Sequence, residues 1–477
     1  MNTEKRALET VWWVMPVLYL ACALTYAMSA LSAADPFELA DVKSGSVAKR
    51  EYFDSIDVHH WTLSNGAEVL FKSTEVISTP ILITTVFPGG LSLIPDATET
   101  RATLAGTAVT ASGMRGIRDS ALINLFNLHR TVARGFRLEK EAVITMRSVT
   151  EEIDFAFRAL YILLEDNPNV NPEVLEITRQ KVSTNIAASV QQPQFEFLHQ
   201  TNEARWPGRI FGNLNLSVDD LTIVDVDWVN AMSQRLWRNV NGAWFLISGP
   251  IDAETIEEYV TKYLGGLEGG DRRSEIGATD TFAKSSREVR VKLNPEDRSN
   301  VQMFYLEPNT DSQDLHAVMT RITFAALLNS RLQDTVRVKE GLVYNIGAGA
   351  MEPNFPMRHG GMMIQFTADP ANVSEIEAIA RAEIEAMSKD VAESDLASVR
   401  KSQVRGIEQA WERPAMVVAR TADSLRRGLP VVSLSDITQA IESVRTEHIS
   451  ARAVQVAKLT LVVSEFAPKP EENAPDA

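Results

Sequence analysis

The residues best placed to do chemistry lie in one stretch, Arg337-Val-Lys-Glu-Gly-Leu-Val-Tyr344. A guanidinium fork and a phenol become neighbours if a tight turn folds between them. Both donate hydrogen bonds, so the pair suits a peptide carbonyl or a developing oxyanion. Upstream, Leu315, Val318, Met319, Ile322, Leu327 and Leu328 recur at helical spacing and predict a long amphipathic helix. Gly341 can end that helix in the left-handed conformation that glycine adopts cheaply. Leu342 to Met351 alternates loosely and reads as a strand. An ordinary helix–turn–strand corner, with a solvated arginine and a half-buried tyrosine, accounts for the same residues.

Other reactive groups are sparse. His59 and His60 are adjacent and point apart on any regular element, while His129, His199, His316, His359 and His448 stand singly. They read as surface or internally satisfied side chains. No serine context suggests a nucleophile elbow. Cys22 is the sole cysteine, which excludes an intrachain disulfide and a thiolate metal site.

The elements that must position Arg337 and Tyr344 belong to a long chain of 477 residues, 45% hydrophobic and 23% charged. That length allows more than one domain. The formal net charge of −16 and the lack of a basic stripe argue against a nucleic-acid surface. Lys5 and Arg6 precede an uncharged run from Val11 to Ala34. The run suits a spanning helix of about 20 residues better than a signal core of about 7–15. Trp12 and Trp13 suit the membrane interface. Ser32-Ala-Ala34 would equally serve a signal peptidase. Both an anchor, which is favoured, and a cleaved signal put the remainder on the exported side. Tyr19-Leu-Ala-Cys22 is a poor lipoprotein motif.

Residues 35–56 are polar and read as a linker. Asn65-Gly66 between alternating runs predicts a hairpin. Pro80–Val86 reads as a strand and Pro88-Gly-Gly90 as the turn that ends it. Ala102–Ser112 is a small-residue helix stopped by Gly113, and strands follow over 136–149. Helices are predicted over 153–164 and 172–188, and a strand over 244–248. Asp252 is placed to cap the helix after it. Gly269-Gly-Asp-Arg-Arg-Ser marks a second linker, 269–287. The order of strand, strand, helix, strands and helices then recurs to residue 467, which suggests duplication. Ser374-Glu-Ile-Glu377 has the capping-box pattern. Residues 468–477 read as a disordered tail.

Several landmarks now stand in order: Trp61-Thr-Leu-Ser-Asn-Gly-Ala-Glu-Val69, Phe87-Pro-Gly-Gly-Leu-Ser-Leu93, Ser248-Gly-Pro-Ile-Asp252 and Arg337-x6-Tyr344. Together they resemble the pitrilysin/insulinase family of zinc metallopeptidases, which includes mitochondrial processing peptidase. The resemblance covers residues 57 to 467 and is nearest to the zinc-free half of long bacterial members. It implies an α+β fold of two homologous domains, 57–268 and 288–467, each a mostly antiparallel sheet packed against helices. Active members carry His-x-x-Glu-His on the first buried helix and a third ligand, a glutamate, on a later one. Here those positions fall on Ala105, Ala108 and Val109, with Asn185 at the third-ligand position. No zinc and no catalytic role is therefore carried over. Arg337 and Tyr344 match the pair that the family lends to the zinc site of another domain.

The resemblance thus implies a non-catalytic, peptide-binding subunit at the cell envelope. It would be inactive alone and paired in a heterodimer with a zinc-bearing sister chain, so zinc is expected on the partner. The alternative is a catalytically inactive scaffold or peptide-binding protein at the bacterial envelope.

Overall fold

A computed structural model describes residues 35–166, 170–274, 282–308, 314–339, 341–352 and 359–470. The N-terminal apolar run, Cys22 and most of the predicted tail lie outside them. Among the described residues, no helix is long and apolar enough to cross a membrane.

Among the described residues, twelve strands form two sheets. The first contains β1 (Val47–Phe53), β2 (Val58–Leu63), β3 (Glu68–Ser73), β4 (Ile81–Pro88), β5 (Val132–Arg137), β6 (Glu141–Ser148) and β7 (Trp244–Gly249). The second contains β8 (Arg287–Asn294), β9 (Ser299–Glu307), β10 (Val343–Met351), β11 (Gly360–Ala368) and β12 (Thr460–Pro468). Their orders are β1-β2-β3-β7-β4-β6-β5 and β10-β11-β9-β12-β8. Read from β3, the first is 3-7-4-6-5; read from β8, the second is 8-12-9-11-10. Adding five to each number converts one into the other. Each sheet has one parallel pair, β3 with β7 and β8 with β12, and is otherwise antiparallel. The duplication read from element order therefore extends to strand pairing, and the class is α+β.

The helices of the first half are α1 (Glu99–Ser112), α2 (Asp119–Leu128), α3 (Ile153–Glu165), α4 (Pro172–Val190), α5 (Pro193–Arg205), α6 (Val226–Trp237) and α7 (Ala253–Tyr259). In the second half they are α8 (Leu315–Leu332), α9 (Val373–Lys389), α10 (Glu393–Trp411), α11 (Pro414–Arg426), α12 (Leu434–Ser443) and α13 (Thr446–Val456). Strand period explains the layers. Trp61, Leu63, Val69 and Phe71 face the helices of their own half, whereas Val58 and Leu70 face the other way. In the second sheet, Val301, Met303 and Tyr305 face α8 and its neighbours, while Phe304 and Leu306 turn away.

Both outward faces are covered by a helix from the opposite half. From α11, Val417, Val418 and Ala422 pack on Val58, Leu70, Val86 and Trp244. From α5, Phe197 stacks on Phe466 with ring centroids 5.2 Å apart, and Ala204 joins Phe304 and Val462. An Arg426–Glu141 ion pair of 2.5 Å ties α11 to β6 across the same seam.

Two sequence expectations need correction. The stretch read as a linker, 35–56, carries β1, and Phe37 within it is fully buried, stacked on Phe155 at 5.5 Å. Ser374 does not cap α9: the helix begins one residue earlier, after a short turn over Pro370–Asn372 capped by Asp369. The capping box occurs instead at Ser433 and Asp436, where α12 begins.

Candidate functional site

The first part of the site is α1. Thr98 opens it by accepting a hydrogen bond from the Arg101 N–H at 3.3 Å, while its own hydroxyl donates to Asp220 at 2.7 Å. Ala105 and Ala108 are fully buried in the first core, and Val109 is half-buried. The hydroxyls of Thr103, Thr107, Thr110 and Ser112 each donate to the carbonyl four residues back, at 2.7, 2.8, 2.9 and 2.8 Å. Such back-bonding satisfies a helical hydroxyl locally. The hydroxyls of these four residues are therefore engaged within the helix itself.

Helix α4 lies alongside α1. It starts where Asn171 accepts from the Val174 N–H at 2.8 Å. Asn185, at the expected third-ligand position, is exposed on it. The two helices that would frame a metal are present, yet two alanines, a valine and an amide do not fit zinc. Among the described residues, no group of three or more His, Cys, Asp or Glu could hold an ion.

Beside Val109 lies an apolar cavity of about 340 Å³. Its walls include Gly113 after α1, Leu122 and Phe126 of α2, Val132 and Ala133 of β5, and Trp237. Among the described residues, strand β5 is the last of its sheet and pairs only with β6, so its outer edge has no strand partner there. The cavity was not foreseen in the sequence because α2 was not read as a helix. Leu122, Leu125 and Phe126, spaced three and four apart after Asp119, were the available signal.

The second part is the α8–β10 corner. A π-helical turn, Gln333–Lys339, prolongs α8. Val336 is fully buried and its carbonyl accepts from the Leu342 N–H at 3.1 Å. Gly341 has φ +66°, the left-handed conformation expected of it. Asn329 of α8 accepts from the Ala348 N–H at 3.0 Å, and Thr335 donates to Glu383 at 2.9 Å, which fixes the corner against β10 and α9. The backbone thus puts Arg337 in the last turn and Tyr344 second in β10. Their side chains, and Glu340, lie outside what the structure describes.

The described histidines with defined partners have structural ones. His60 bridges Glu51 and Glu68 at 3.1 Å each, His129 meets Glu152 at 2.7 Å, and His199 meets the Asn213 carbonyl at 2.7 Å. Burial raises the Glu68 carboxyl, but hydrogen bonds from His60, Arg272 and Thr62 outweigh it and hold it below the ordinary range.

The comparisons with known proteins bear on the fold around these two elements. Residues 241–403 match the family model described as Peptidase M16 inactive domain. That match spans about a third of the chain. The chain's fold is that of M16 peptidase-like domains. The crystal structure of the periplasmic protease PqqL from Escherichia coli superposes with a TM-score of 0.75 at 16% identity, covering 91% of this chain and 48% of that one. A peptidase M16 inactive domain from Pseudomonas fluorescens gives a TM-score of 0.70 at 16% identity, covering 87% of this chain and 98% of that one. A "Zinc protease PQQL-like" of Arabidopsis thaliana is 20% identical over 385 residues, 77% of this chain and 37% of the relative. The chain thus spans less than half the length of the curated relatives it matches.

Proposed function

We propose that this chain is a non-catalytic, peptide-holding subunit of an M16-type peptidase assembly. A zinc-bearing sister chain supplies the metal and its activated water. This chain supplies Arg337 to orient the backbone around the scissile bond and Tyr344 to donate to the tetrahedral oxygen. The observation that carries the reading is α1, whose ligand positions are occupied by Ala105, Ala108 and Val109. The edge of β5 offers main-chain donors and acceptors to an extended polypeptide, as strand addition requires. Export to the periplasm, with the N-terminal run as anchor or cleaved signal, agrees with the periplasmic description of Escherichia coli PqqL.

The test mixes the chain with the zinc peptidase that co-purifies with it and follows cleavage of a peptide. Arg337→Ala and Tyr344→Phe should each lower kcat by about 10²–10³ with association unchanged, the usual effect of losing one oxyanion donor. Unchanged cleavage would instead assign the chain to a scaffold role. Chelator-sensitive cleavage by the chain alone would refute both readings.

A further inference from the structure

Helix α5 ends at the seam between the halves with Arg205. Its guanidinium carbon lies 3.8 Å from the centroid of the Trp206 ring and 3.9 Å from that of Phe304 on β9. Two aromatic faces therefore hold it as the filling of a slot one planar group thick. No carboxylate pairs with it among the described residues. The nearby acids are engaged: Glu203 accepts from Asn213 at 2.8 Å and from the Gly208 N–H at 2.9 Å, and Glu139 accepts twice from Arg209. Arg205 Nε and the neighbouring Trp206 Nε1 are sealed donors with no acceptor, whereas the two terminal nitrogens of Arg205 are not sealed. Burial, and then the like charge of Arg209, pull the guanidinium down to about 10, so it remains charged at neutral pH. The carbonyl end of α5 offers only about half a charge in compensation.

We propose that Arg205, between Trp206 and Phe304, is a carboxylate receptor at the seam of the two halves. A carboxylate is planar and can extend the guanidinium plane, accepting two parallel hydrogen bonds from the open fork. Tetrahedral oxyanions are too thick to enter between the rings. The ligand chemistry is that of an acidic side chain of a docked polypeptide or of a small free carboxylate. The site uses neither α1 nor the Arg337–Tyr344 corner, so it stands whether or not the chain assists a zinc partner.

The experiment is an NMR titration of the full chain carrying ¹⁵N-arginine, with the Arg205 Nε–H resonance assigned by its loss in Arg205→Lys. Acetate and the peptide Gly-Glu-Gly should each shift that resonance saturably, whereas sulfate at equal ionic strength should not. Tighter saturation by the peptide identifies a polypeptide side chain as the source; equal affinity identifies small carboxylates. Arg205→Lys, followed by calorimetry, should bind about tenfold more weakly, about 1.4 kcal/mol, because a point charge replaces a fork. No shift with either carboxylate, or an equal shift with sulfate, overturns the proposal and leaves Arg205 as an aromatic-packed strut.

Discussion

Reintroducing the metal motif on α1 tests whether this lobe could hold zinc at all. The variant Ala105→His/Ala108→Glu/Val109→His restores the motif in the aligned register. Ala105 and Ala108 are fully buried among the side chains of the first core, so neither new group reaches solvent without displacing them. Overpacking a core position costs about 1–3 kcal/mol, which applies at residue 105. A carboxyl at residue 108 without a cation beside it must stay protonated. At pH 7 that costs about 1.36 kcal/mol for each unit above a free value near 4.3, or about 4 kcal/mol. The sum of about 5–7 kcal/mol is comparable to the whole stability of an ordinary domain, about 5–15 kcal/mol. The triple variant should unfold at much lower urea than wild type and bind no stoichiometric zinc by elemental analysis. A variant that melts with the wild type and carries one zinc per chain would refute the assignment of these positions to the core.

Further predictions concern the scaffold. Phe197→Ala should cost about 3–5 kcal/mol in denaturant unfolding, because the ring is 2% exposed and stacks across the seam on Phe466. Tyr263→Phe should cost only about 1 kcal/mol: the hydroxyl donates to Asp154 at 2.6 Å, but Asp154 is partly solvated and keeps Arg158 at 2.8 Å. Glu68 has a lowered folded pKa, so its contribution is complete above the unfolded value and is lost as pH falls through the folded one. The stability gap between wild type and Glu68→Gln should be about 1–2 kcal/mol at neutral pH and close as pH falls below the ordinary glutamate range in urea titrations.

The punctuation of this fold was legible because single residues enforce it. Asn65-Gly66, Gly113, Asp252 and Gly341 all stand where a turn, a stop or a cap was expected, with φ values of 83°, 71° and 66° at the three glycines. The exchanged helices were not legible. Helix α5 buries Phe197 and Ala204 against the other half with the polar Thr201 buried between them, so its sequence lacks a continuous apolar stripe. Covered on both faces, β9 loses alternation: Met303, Phe304, Tyr305 and Leu306 are all buried. The capping box failed because Ser374 lies inside α9, where spacing alone cannot reveal the preceding turn. On the site, an absence was readable, since no histidine occurs from Leu91 to Ser112. The cavity beside Val109 was not, because one of its walls is α2, a helix the periodicity reading passed over.

The exchange of α5 and α11 between the halves has a consequence for handling the protein. Each sheet owes its outer cover to a helix encoded on the far side of the 269–287 stretch. A gene split there would yield two fragments that are sticky singly and complementary together. Co-expressed, they should reassemble as a split-protein pair; expressed alone, each would seek a substitute helix, and a second intact molecule can lend one. Fragments of this kind are poor material for dissecting either half, and good material for reporting when two fused partners meet.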